Sequence, residues 1–150
     1  MDSSKLWFAF FAIILGIFSG IISNKIFNQI ANHEKQLDVK IQELKEIEQK
    51  IESYYEDLFK KIVQCESSGK ILAINPRDKD GTASFGILQW KPETFKEYGV
   101  KYGVIGEKAS WDLIMTKIFD YQTNKYLFIQ IIKNEPEKIK KLWPNCSKKL

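Results

Sequence analysis

The sequence predicts a mainly α protein: a transmembrane helix, a charged helical stalk, and a small domain that is mostly α with one short β or loop element. Three observations carry this. Residues 6–24 contain no charge. From Ile26 to Ser53 the chain has no Gly or Pro, and apolar residues return at helical spacing. Beyond Tyr54 the same periodicity recurs in shorter runs, interrupted by a polar, Gly-containing stretch from Gly69 to Thr82. In 150 residues this leaves room for one small domain.

The first element, residues 1–24, is expected to be a retained membrane anchor. Leu6 to Ile22 is almost wholly apolar, about the length that spans a bilayer core of roughly 30 Å. A cleaved signal peptide is the competing reading, since Lys5 precedes the run. The run exceeds the usual apolar core of about 7–15 residues, and no small-x-small site follows it: Ser23 has Ile21 before it at the required small position, and Gly20 has Phe18. Orientation pulls two ways. Lys25, Lys35 and Lys40 after the span favour a C-terminus inside, yet long downstream domains translocate largely regardless of charge.

Residues 25–53 form the stalk. Ile30, Leu37, Leu44, Ile51 and Leu58 recur every seventh residue, with Ile41, Ile47 and Ile62 between them. The second core position of each heptad is held by His33, Lys40, Ile47 and Tyr54, which is polar for a strong coiled-coil seam. A single amphipathic stalk and self-association through it are both open. His33 is the only histidine and is expected to face solvent. With no second His, neither a Ser-His or Cys-His nucleophile pair nor a His/Cys zinc set can be drawn near the domain. No cofactor is expected.

The domain, residues 54–150, is mildly basic: 17 Lys+Arg against 12 Asp+Glu, whereas the preceding residues hold 6 against 7. Such a balance suits an anionic partner such as bacterial cell wall or lipid headgroups, or is a plain solvated lysine surface. No nucleic-acid motif is present, and no nucleic-acid partner is expected. Tyr54 to Cys65 reads as the first domain helix, stopped by Ser67-Ser68-Gly69, because Gly takes the left-handed cap without steric cost. Glu66 therefore belongs to its last turn, beside Ile62 and Val63. A carboxyl half-buried against apolar groups keeps its proton to higher pH and can donate it, the arrangement glycosidases use for a general acid.

In the polar stretch that follows, Asp78-Lys79-Asp80-Gly81 lacks the closing Glu of an EF-hand and reads as a turn. Ser84 to Trp90 is expected as a short extended segment, and Thr94 to Tyr98 as a helix stopping at Gly99. Lys101 to Ser110 reads as loop. Trp111 to Lys133 reads as one long helix with Leu113, Ile114, Ile118, Tyr121, Leu127, Phe128 and Ile131 on its apolar face. A last helix begins at Pro136, well placed in a first turn, and ends before Trp143-Pro144-Asn145-Cys146. Cys65 and Cys146 bracket the domain. In a cytosolic chain they would be two unrelated thiols; in an exported one a single pair at the ends of a small domain reads as a disulfide.

The stretch from Ile62 to Phe95 resembles the lysozyme-like superfamily, most closely the soluble lytic transglycosylase type of peptidoglycan-cleaving domain. The family's Glu-Ser pair at the end of its first helix matches Glu66-Ser67. Its motif of Ser, Gly, an apolar pair and Gln matches Ser84-Phe85-Gly86-Ile87-Leu88-Gln89, and Asn75-Pro76 lies between the two. The likeness weakens from Phe95 to Cys146. The resemblance implies a lysozyme-like α+β domain that cuts glycan strands between N-acetylmuramic acid and N-acetylglucosamine. Glu66 would be catalytic acid and then base, and the product would carry 1,6-anhydro ends. Ser67, Ser84 and Gln89 would orient substrate, with Tyr121, Gln122 and Tyr126 as further cleft candidates.

The family's Ala-Tyr-Asn motif is absent; Asp120-Tyr121-Gln122 stands roughly where it is expected. That leaves a lyase and a two-acid hydrolase both open, the second acid being Asp78, Asp80 or Asp112. A non-catalytic, membrane-anchored glycan-binding assembly protein is the reading from another class. The cysteines and this substrate favour a membrane-anchored chain with its domain on the extracytoplasmic side.

Overall fold

A computed structural model describes residues 3–78 and 81–150, and for residues 3–22 and 24–26 the backbone alone. The described chain is mainly helical and divides into two compact units, Met1–Lys50 and Ile51–Leu150. The first helix, α1, runs Ser3–Ser67. In the N-terminal unit its apolar heptad positions are open to solvent, Ile30, Leu37 and Leu44 among them, and His33 is exposed. Among the described residues no helix is long and apolar enough to cross a membrane. The side chains of the expected span, residues 6–22, lie outside those described.

The second unit begins with the end of α1, where Leu58, Phe59, Ile62 and Val63 are buried. Their spacing puts them on one stripe of the helix. Two-residue strands follow, β1 (Ile74–Asn75) and β2 (Ser84–Phe85), paired antiparallel with Ile74 opposite Phe85 and Asn75 opposite Ser84. Then come α2 (Pro92–Lys101), α3 (Trp111–Ile118), α4 (Tyr121–Asn134), α5 (Lys138–Leu142) and a 3-10 turn at Ser147–Lys149.

The core is organised by aromatic rings. Phe59 meets Phe128 at 5.5 Å between centroids, Phe128 meets Trp143 at 5.1 Å, Trp143 meets Trp90 at 5.3 Å, and Trp90 meets Phe95 at 5.8 Å. This chain of rings joins α1, α4, the C-terminal segment, the loop after β2 and α2. Each such pair contributes about 0.5–1.5 kcal/mol beyond the area it buries. Both indoles also find partners: Trp143 Nε1 donates to the Leu88 carbonyl at 2.9 Å, and Trp90 Nε1 to Asn124 Oδ1 at 2.8 Å.

Several boundaries differ from the sequence expectation, each for a local reason. The helix expected over Trp111–Lys133 is two helices. Asp120 caps α4 by accepting from Thr123 N–H at 2.7 Å, and the buried Asn124 amide donates to the carbonyls of Ile118 and Asp120 at 2.8 and 2.7 Å. Those side-chain bonds satisfy the terminal groups of a helix break, which apolar periodicity does not register. Helix α2 continues through Gly99, which packs against Ile105, and ends at Lys101; the left-handed glycine is Gly103 at φ 71°.

Pro136 stands ahead of the last helix rather than in it, since α5 starts at Lys138. Only Ser84–Phe85 of the expected extended segment is strand. The next four residues turn back, so that Phe85 and Trp90 exchange backbone bonds of 2.8 and 2.9 Å.

Candidate active site

Glu66 lies in the last turn of α1, as expected, one residue before its end at Ser67. Ser68 and Gly69 both adopt left-handed backbone, at φ 54° and 78°, and their N–H groups donate to the carbonyls of Gln64 at 3.2 Å and Val63 at 3.4 Å. Two consecutive left-handed residues halt the helix abruptly and leave Glu66 half-buried on its final turn. Burial holds the Glu66 carboxyl above the ordinary carboxylate range; the negative charge of Asp78 adds to this, and Lys149 opposes it. Desolvation disfavours the ionised form, so the carboxyl gives up its proton at higher pH than an exposed one.

The carboxyl lines a cleft of about 640 Å³, within the range of about 300–1,000 Å³ typical of ligand sites. Asn75 and Asp78 contribute from β1 and the loop after it. Ser84, Gln89 and Trp90 contribute from β2 and its turn, and Lys91, Thr94, Glu97 and Tyr98 from the start and body of α2. The segment from Lys141 to Asn145 completes the lining.

The turn after β2 is built for close packing. Gly86 has φ 74°, and a Cβ there would overlap the Ile118 carbonyl oxygen at the end of α3. Gln89 is a non-glycine residue at φ 52°, a conformation costing about 1–2 kcal/mol for an L residue. Its side chain fastens it: Oε1 accepts from the Ser84 hydroxyl at 3.0 Å, while Nε2 donates to the carbonyls of Gly86 at 2.8 Å and Ala73 at 3.5 Å. Backbone strain of this kind survives where the surroundings over-determine it, and such places gather at functional sites.

The structure sorts the residues singled out from sequence. Glu66, Ser84 and Gln89 share the cleft. Ser84 is fully buried, and its hydroxyl and the Gln89 amide are engaged with each other and with the turn. Ser67 is not on the lining; it is buried and its hydroxyl donates back to Val63 O at 3.2 Å. Tyr121, Gln122 and Tyr126 are also off the lining. Tyr121 packs edge-on against Phe59 at 5.6 Å, Gln122 is exposed in the first turn of α4, and the exposed Tyr126 reaches the Tyr102 carbonyl at 3.4 Å.

Of the three candidate second acids, Asp78 lines the cleft and pairs with Lys91 at 3.2 Å. Asp112 lies in the first turn of α3, away from the cleft lining, and Asp80 lies outside the described residues.

Asp120-Tyr121-Gln122, which stands roughly where the family's later motif is expected, is off the lining, and Lys141–Asn145 forms a wall of the cleft. Asp120 is occupied as the cap of α4, so its neighbours are committed to starting a helix. The signal for that wall was the cysteine pair. Cys65 and Cys146 form a disulfide, with Cα atoms 5.7 Å apart; whatever precedes Cys146 must lie beside Glu66. Thr94, Glu97 and Tyr98 carried no such signal, since they read simply as one side of a short helix. No protein-family model, no curated protein and no solved structure matches the chain.

Proposed function

We propose that this chain cleaves the glycan strands of peptidoglycan between N-acetylmuramic acid and N-acetylglucosamine, as a lytic transglycosylase with Glu66 as general acid and then base. The observation that carries the reading is a half-buried carboxyl whose pKa is raised, chiefly by burial, at a sharply stopped helix end inside a cleft of about 640 Å³. Protonated Glu66 gives its proton to the glycosidic oxygen as the C1–O bond breaks. The resulting carboxylate then takes the proton of the same sugar's 6-hydroxyl as that oxygen closes onto C1. Atoms balance without water, and the chemistry calls for neither metal nor cofactor.

A second reading, a two-acid muramidase, is favoured by Asp78, which lines the same cleft and strengthens Glu66's hold on its proton. There Asp78 would assist attack by water or by itself, and products would carry reducing ends. Mass spectrometry of wall digested by the full chain decides: anhydro ends support the lyase, reducing ends the hydrolase. No released fragments at all would leave the non-catalytic glycan-binding role. The uncharged run of residues 6–24 and the Cys65–Cys146 bond support a membrane-anchored chain whose domain works on the extracytoplasmic side, where the wall is. Self-association through the heptads of residues 25–53 remains compatible with that role.

A further inference from the structure

Residues 138–150 contain five lysines and no acid. The fold fixes this segment at the cleft. Cys146 is joined to Cys65, and Trp143 is buried with its indole bonded to the Leu88 carbonyl. Lys141 lines the cleft together with Glu66, and the charge of Lys149 is felt by Glu66. Lys138 has a partner, Glu135 at 3.8 Å. Lys140, Lys141, Lys148 and Lys149 are exposed and make no ion pair among the described residues. The lining's other lysine, Lys91, is already held by Asp78 at 3.2 Å and by the Thr82 carbonyl at 3.0 Å. One wall of the cleft is thus anchored in backbone and carries cations of one sign.

An unsubstituted amino-sugar polymer presents only hydroxyl and acetamido groups, which give an ammonium no ionic partner. The wall of a bacterium differs, because its muramic residues carry short peptides ending in carboxylates. We propose that Lys141 and Lys149 bind carboxylates of those stem peptides, so that the preferred ligand is a peptide-substituted strand rather than bare glycan. This rests on the glycan-cleaving reading and adds which form of the strand the cleft selects. Lys141's place on the lining that also holds Glu66, with Lys149 three residues past the Cys146 that is bonded to Glu66's neighbour Cys65, favours an anion brought by the substrate over a lipid surface.

The test separates binding from catalysis by using full-length Glu66→Gln protein in detergent, titrated with soluble wall strands and with the same strands stripped of peptides by an amidase, the lactyl carboxylates that the amidase frees being then capped as methylamides. Peptide-bearing strands should bind more tightly by roughly three- to thirtyfold, the range of two exposed ion pairs, and the preference should shrink as salt rises. Lys141→Ala with Lys149→Ala should remove most of the preference and leave the stripped strands' affinity unchanged. Equal affinity for both strands overturns the proposal, as does an equal loss for both in the double variant. Lysine-dependent binding to anionic phospholipid vesicles, without any preference between strands, overturns it in favour of a membrane surface. Failure of catalysis is distinguishable: a chain that prefers peptide-bearing strands but never cuts them keeps this inference and loses the enzyme, while one that binds and cuts both strands equally does the reverse.

Discussion

Cys65 and Cys146 are 81 residues apart in sequence and 5.7 Å apart between Cα atoms, joined by a disulfide. Each is the immediate neighbour of a cleft residue, Glu66 on one side and Asn145 on the other. The bond therefore ties the helix end that carries the acid to the wall formed by Lys141–Asn145. Closing so long a loop contributes about 4.5 kcal/mol in the chain-entropy model, a large fraction of the stability of a small domain.

Replacing both cysteines by alanine is expected to lower the melting temperature by more than about 10 °C, at roughly 4–8 °C per kcal/mol for a domain of this size. Scanning calorimetry of variant and wild type, and of wild type with reductant, measures it. Peptide mapping without reductant should recover the linked pair; two freely alkylated thiols would contradict the bond.

Glu66→Gln keeps the side chain's size but cannot shuttle a proton. Release of wall fragments should fall at least 10²–10⁴-fold, the usual worth of a general acid or base. Stability should move the other way. Because the folded state holds the Glu66 proton more tightly than the unfolded chain, the group costs stability as pH rises from its ordinary value of 4.5 through its raised one. The variant should melt above wild type at pH 7, and the gap should close below about pH 4.5. Melting curves across that range check the sign, and a constant gap would contradict it.

Asp78→Asn tests the second acid. In a transglycosylase most activity should remain, and the alkaline limb of the pH profile should shift to lower pH, because a neighbouring negative charge that holds the Glu66 proton has gone. Asp112→Asn should change neither rate nor profile, since Asp112 is off the cleft lining. Loss of activity in Asp78→Asn as deep as in Glu66→Gln, with reducing ends on the products, assigns a two-acid hydrolase instead.

Gly86→Ala is expected to destabilise by at least about 1–2 kcal/mol from its left-handed backbone alone, and further because the added carbon meets the Ile118 carbonyl. Denaturant unfolding at fixed pH measures the change. A variant as stable as wild type would mean that the turn and α3 do not pack as closely as they stand here.

What the sequence determined by itself was local. The acid at the end of α1, the Ser-Gly stop after it and the paired cysteines were legible because each depends on a few adjacent residues or on residue type. Helical periodicity marked the helical stretches of the second unit but ran α3 and α4 together, since amphipathic spacing is a property of the segment of chain that carries it. Tertiary structure decided the rest. The break between α3 and α4 belongs to the Asp120 cap and to Asn124, whose amide serves Ile118, Asp120 and Trp90 at once. The bonds that Ser67 and Gln89 make to backbone, and Ser84 to the Gln89 amide, depend on which groups the folded chain brings within reach.

Likewise, Lys141–Asn145 rather than Tyr121, Gln122 and Tyr126 borders the acid because the aromatic chain from Phe128 through Trp143 to Trp90, locked by the disulfide, brings the C-terminus there. Hydrogen-bond satisfaction and ring packing between distant residues are set only when the chain has closed on itself, and no spacing within one segment encodes them.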